Sequence, residues 1–200
     1  VEAVRLFRSS SKRSSTQKLA LKPKRFQTEN MPLGTYIAMP EVSSERRRYI
    51  PMGFFDENTL CSNLLKLVSG GTLYHFGILT STMHMAWTRA VCGRLKSDYR
   101  YSNKLVYNNF PWPDADATQQ EKIAKVAQSV LDARALYPDC TLADLYDPDC
   151  MPVELVDAHR KLDIAVEKAY GCRFSNDADR VAFLFERYES LVALVTSSKS

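Results

Sequence analysis

The feature that most limits what this 200-residue chain can become is a change of period at Phe110-Pro111-Trp112-Pro113. Upstream of it, short runs rich in β-branched and aromatic residues read as strands. Downstream, apolar residues recur at helical spacing. The two prolines stop any strand that reaches them, because neither offers a backbone N–H to a ladder. The expected fold class is α+β: a basic connecting arm over 1–30, a mixed strand and helix domain over 31–113, and a small all-helical domain over 114–200.

Within the mixed region, residues 35–39 and 48–55 read as strands, pushed toward edges by Pro40 and Pro51. Residues 60–68 read as another, ended by the Gly70-Gly71 turn. Residues 72–92 read as one or two helices broken near Thr80-Ser81. After Pro113 three helices are expected. The first, over 118–136, places Ile123, Val126, Ala127 and Val130 on one face. The second has Pro152 in its first turn and ends at Gly171. The third is capped by Asn176 and buries Val181, Leu184, Phe185, Tyr188, Leu191 and Val192.

The segment 93–113, GRLKSDYRYSNKLVYNNFPWP, carries the chemistry. Its first half alternates, with Arg94, Lys96, Asp98, Arg100, Ser102 and Lys104 on one side. Leu95, Tyr99, Tyr101, Leu105 and Tyr107 fall on the other. The charged front mixes cations with an acid, which suits base edges, where donors and acceptors are both needed. Edge strands also carry charges simply to resist pairing with another chain, so the pattern alone leaves both uses open. Residues 1–110 hold 17 Lys/Arg against 7 Asp/Glu (+10), and residues 111–200 hold 10 against 16 (−6). A polyanion is expected to meet only the first half. The run Ser43-Ser44-Glu45-Arg46-Arg47-Arg48 adds guanidinium forks that fit phosphate oxygens.

Other chemistries find no footing. There is no phosphate-cradling glycine loop, and no catalytic serine or metalloprotease motif. His75, His84 and His159 and the five cysteines are not spaced as a zinc site, so packed or capping histidines are expected and no metal. Free thiols fit a reducing cytosol. Asn108–Pro113 is not the Asn-Pro-Pro-aromatic loop of amino-methyltransferases, whose prolines follow the Asn directly. The acidic turn LYDPDC at 145–150 lacks the spaced oxygens of a calcium loop. No apolar run approaches the length of a membrane span. A start at Val1 suggests a piece of something longer.

The stretches EVSSERRRYIPMGF (41–54), LYHFGILTSTMHMAWTRAVCGRLKSDYRYSNKLVYNNFPWP (73–113) and AHRKLDIAVEKAYG (158–171) resemble the C-terminal part of MmeI-like proteins. These are bacterial restriction-modification enzymes that join an adenine-N6 DNA methyltransferase, often with a nuclease, to a target-recognition domain. The resemblance implies a double-stranded DNA partner and an upstream methyltransferase domain in the same polypeptide. It places S-adenosylmethionine in the parent enzyme, with no cofactor and no catalytic residue in this chain. It also implies that Lys96 and Asp98 act as a pair on one base pair and that Arg100 is a further reading position. The pair suits G·C, with Lys donating to guanine and Asp accepting from cytosine. Ser44, Arg46, Arg47, Arg94, Ser102 and Lys104 are then expected on the DNA backbone. The competing expectation from the residues is a non-catalytic RNA- or protein-binding scaffold.

Overall fold

The computed structural model describes residues 1–27 and 31–197. The N-terminal stretch forms two short helices, α1 (Glu2–Ser9) and α2 (Ser14–Lys18), closed by a 3-10 turn at Leu19–Leu21. One guanidinium fastens them. Arg8 donates to the carbonyls of Leu19, Lys22 and Arg25 at 3.2, 2.9 and 2.8 Å. These carbonyls end a helix or turn and would otherwise need water.

Two small antiparallel sheets follow. In the first, β1 (Tyr36–Pro40) lies between β3 (Gly53–Phe55) and β4 (Leu65–Ser69), with Ile37 opposite both Phe54 and Val68. The run expected as a strand over 48–55 becomes one only at Gly53. Pro51 lacks an N–H and restricts the residue before it. Tyr49, Ile50 and Met52 instead enter the core as irregular chain. The strand expected from residue 60 starts at Leu65, because Asp56 and Ser62 draw the intervening backbone into local turns. The second sheet has the order β2 (Val42–Ser43), β6 (Asp98–Arg100), β5 (Gly93–Leu95).

Between the sheets run α3 (Leu73–Leu79) and α4 (Thr82–Val91), broken where expected. The Ser81 hydroxyl donates to the Ile78 carbonyl at 2.7 Å and accepts the His84 N–H at 3.4 Å, ending one helix and starting the next. After the prolines come α5 (Ala117–Ala135), the short α6 (Leu142–Leu145), α7 (Val153–Ala169) and α8 (Asp177–Ser197). Asp116 and Gln119 form a reciprocal cap on α5. Gly171, at φ +77°, ends α7, and Asn176 accepts the Asp179 N–H at the start of α8. The apolar stripe expected to be buried on α8 is sealed only at Leu184. Phe185, Leu191 and Val192 stay exposed.

One core runs through strands and helices alike. It joins Ile37, Met39 and Tyr49 to Phe76, Trp87, Ile123, Leu155, Leu162 and Leu184. Helix α3 meets α5 and α7 closely at Gly77. A Cβ there would meet Ile123 at 2.8 Å, Ala127 at 3.1 Å and Leu162 at 3.2 Å. The Pro-Trp-Pro segment is tied down from two helices. Tyr170 Oη donates to the Pro111 carbonyl at 3.0 Å, and Arg187 donates to the Trp112 carbonyl at 2.9 Å and pairs with Asp114. No helix among the described residues is long and apolar enough to cross a membrane.

Candidate nucleic-acid interface

The strand expected from Arg94 to Lys104 does not form. The chain reverses at Lys96-Ser97, pairing Leu95 with Asp98 and Arg94 with Tyr99. A two-residue hairpin of this kind takes a positive φ at its first central position. Lys96 supplies it at φ +58°, the sole non-glycine residue with positive φ among those described. A side chain in that region costs roughly 1–2 kcal/mol relative to ordinary backbone.

The reversal resets the alternation, because period two holds only along an unbroken strand. Arg94 therefore does not share a face with Asp98 and Arg100. It lies on the Tyr99 side, its guanidinium 4.1 Å from the ring centroid, and donates to the Ser97 carbonyl at 3.0 Å. Leu95, expected on the apolar back, joins Asp98 and Arg100 and is 51% exposed. Tyr99 and Tyr101 are buried, as the pattern required. Beyond Arg100 the chain winds into a π turn, Asn103–Tyr107, so Lys104 belongs to a different element from the strand. Asn109 secures that turn by donating to the carbonyls of Lys104 and Leu105.

The structure spreads the expected base-reading residues along the β5–β6 hairpin, Lys96 and Asp98 at its turn and Arg100 at the far end of β6, opposite Gly93. Lys96 stands at the hairpin tip and Asp98 at its shoulder, and neither side chain has a partner among the described residues. Arg100 is held from behind. The Glu41 carboxylate accepts from Arg100 at 3.0 Å and from Lys66 at 2.9 Å. The Lys66 hydrogen bond, with the charges of Lys66 and Arg100, holds Glu41 below the usual carboxylate range. Arg100 itself remains half exposed, with donors to spare. Sequence reasoning missed Glu41 and Lys66, because cross-strand partners far apart in the chain leave no local spacing to read.

The arginine loop after β2 sits beside the hairpin, since Ser43 pairs with Tyr99. Arg94 and Glu45 approach to 4.0 Å across that boundary. Arg46 reaches into the other half and pairs at 2.5 Å with Asp149, in the acidic turn at 145–150. Both side chains are well exposed, so the pair is weak and open to exchange. Arg47 is half-buried. Ser44 accepts the Arg46 N–H, and Ser102 accepts the Leu105 N–H as cap of the π turn.

A buried polar chain anchors this loop. Tyr49 donates to Asp163 at 2.7 Å, and Asp163 also accepts the Thr82 N–H at 2.7 Å. The Tyr49 ring stacks on His159 at 3.9 Å, and His159 Nε2 meets Tyr146 Oη at 2.7 Å. Arg134 donates to that same Tyr146 oxygen and to the Met52 carbonyl. His84 meets Tyr101 in the same way at 2.8 Å. Burial pushes both His84 and His159 down to about 3, so both are neutral packing groups. His75 accepts from the Thr72 N–H and so caps α3. The described residues contain no group of three His, Cys, Asp or Glu placed to hold a metal. The five cysteines are free thiols.

Comparison with known proteins finds two family matches along the chain. Residues 1–114 match the family described as MmeI, target recognition domain, and residues 115–196 match the family described as MmeI, C-terminal domain. The chain is 43% identical over 185 residues to a curated protein named DNA methyltransferase A from Bacillus subtilis (strain 168), a match that covers 92% of this chain and 21% of that protein. It is similar, with a TM-score of 0.88 and 43% identity, to the solved type IIL restriction-modification enzyme MmeI in complex with DNA, over 96% of this chain and 26% of that one. The chain thus spans only a minor part of the length of either relative.

Proposed function

Because the chain belongs to the MmeI family, carrying its target-recognition and C-terminal domains, we propose that it reads the sequence of double-stranded DNA for a catalytic domain elsewhere in the same polypeptide. The observation that carries this reading is the β5–β6 hairpin. It offers Lys96 and Asp98 at its exposed turn, without a partner among the described residues, and Arg100 two residues further along β6. A two-stranded ribbon fits the major groove, where each base pair presents a distinct donor and acceptor pattern. Lys96 donates to guanine O6 and N7, and Asp98 accepts from cytosine N4. Arg100, braced by Glu41, reads a neighbouring pair.

Ser44, Arg46, Arg47, Arg94, Ser102 and Lys104 set the register on the phosphates. Arg46 exchanges Asp149 for a phosphate on binding, and Arg94, resting against Tyr99 with Nη1 donating to Ser97, turns Nη2 to the phosphate. Ser44 and Ser102 each accept a backbone N–H and keep a hydroxyl proton to donate.

The catalytic partner is an adenine-N6 methyltransferase domain that binds S-adenosylmethionine. This chain's own residues do not fit that cofactor. Gly70-Gly71 ends β4, and Gly77 is filled by side chains of α5 and α7. The reading places the protein in a reducing cytoplasm, consistent with five free thiols. An RNA-stacking platform has no support, since Tyr99 and Tyr101 are buried beneath the sheet rather than displayed on it.

The test is the double exchange Lys96→Glu with Asp98→Arg in the full-length polypeptide, with methylated sites mapped. Exchanging donor and acceptor should invert one G·C pair of the recognised site to C·G and leave the other positions alone. A wrong base pair should cost about 1–3 kcal/mol, readily seen in competition binding. An unchanged site would mean that the hairpin end is only a charged edge.

A further inference from the structure

The N-terminal stretch is strongly basic. Residues 1–27 contain eight Lys/Arg and a single acid, Glu2. Two of the cations are occupied: Arg5 pairs with Glu2 at 2.6 Å, and Arg8 spends its donors on three carbonyls. Lys12, Arg13, Lys18, Lys22 and Lys24 are all exposed, and none has an acidic partner among the described residues.

An unfolded tether would let such charges drift apart. Here the Arg8 clamp gathers the ends of α1, α2 and the 3-10 turn, so the cations are carried on one folded unit. Like charges crowded in this way repel, and the repulsion is relieved by a polyanion whose own counterions are then released.

The unit is also placed near the reading edge. Phe26 and Gln27, at its end, line a groove with Leu60, Cys61, Ser62 and Asn63. The next residue of that loop, Leu64, accepts the N–H of Glu41 at 2.8 Å, and the Glu41 carboxylate holds Arg100. A single loop therefore touches the basic unit on one side and the bracket of Arg100 on the other.

We propose that residues 1–27 form a second, sequence-independent DNA contact, in which Lys12, Arg13, Lys18, Lys22 and Lys24 grip the phosphate backbone flanking the bases read by the hairpin. This rests on the DNA-reading function above and adds a surface to it. Phosphate contacts fix position and supply affinity without sequence information. The unit would hold the protein on any duplex while the hairpin samples bases.

The experiment compares three forms of the complete chain: wild type, Lys96→Ala/Asp98→Ala, and a quintuple Gln variant at positions 12, 13, 18, 22 and 24. Each is titrated with a matched and a one-base-mismatched duplex over a range of salt. Helix content by circular dichroism confirms that the quintuple variant stays folded, which is expected because, among the described residues, no side-chain bond holding the unit uses these five. Its affinity for both duplexes should fall together, and the slope of log K against log salt should shrink by about 2–4, near 0.9 for each phosphate no longer neutralised. The matched-to-mismatched ratio should not change.

The hairpin variant should do the reverse, losing the ratio and keeping most of the slope. An unchanged slope in the quintuple variant, with discrimination by wild type intact, overturns the proposal while the DNA-reading function stands. It would leave these cations as a solubilising rim around the exposed Leu6, Phe7 and Leu21. Absence of any duplex discrimination by wild type would instead count against the reading function itself.

Discussion

At the residue scale, Lys96 is strained where it is useful. Glycine relieves a positive φ, so Lys96→Gly should raise hairpin stability by roughly 1 kcal/mol and still abolish preference at one base pair. Thermal melts and competition binding on the same preparation check both halves of this. The alternation of residues 98–101 was legible, and so was the burial of Tyr99 and Tyr101. The turn was not, because Lys-Ser carries none of the Gly or Asn that announces a two-residue hairpin, and the missed turn misplaced Arg94 and Leu95. The buried histidines give a second prediction. His84 and His159 protonate only near 3 in the folded protein but near 6.5 when unfolded, so the unfolded chain binds more protons between those values. Stability should therefore fall as the pH drops from about 6.5, by about 2 kcal/mol per histidine at pH 5. Asp163, raised by burial, works in the opposite sense. The melting temperature should drop between pH 7 and pH 5, and the drop should shrink in His84→Gln whatever that variant's starting stability.

At the element scale, α3, α4, α5, α7 and α8 were readable, most of them carrying their own punctuation, whereas the short α1, α2 and α6 were not. Asp116, Ser81, Asn176 and Gly171 all cap or stop what the apolar spacing outlined. The strands were less so. Residues 48–52 have strand-like composition, yet Pro51 and the demand of the core for Tyr49, Ile50 and Met52 override it. The crossing of α3 over α5 and α7 rests on the bare backbone at Gly77. Alanine would gain about 1 kcal/mol of helix propensity, but its methyl has only the buried Ile123, Ala127 and Leu162 to push against. Overpacking should win, so Gly77→Ala should lower stability by about 1–3 kcal/mol less that gain, measured by urea denaturation. Nothing in the sequence marked this glycine, since a helix–helix crossing is set by residues far apart in the chain.

At the scale of the whole molecule, the charge asymmetry was visible in the sequence, and the ion pair across it was not. Arg46 from the basic half meets Asp149 from the acidic half, and the core continues beneath them from β1 to α8. The Pro-Trp-Pro segment that separates the two periodicities is bonded to Tyr170, just past the end of α7, and to Arg187 from α8. It is a weld where the change of period suggests a joint. The hairpin and α8 are thus two ends of one packed body, and a rotation of the sheet as the tip seats is expected to carry the helices with it like the handle of a key.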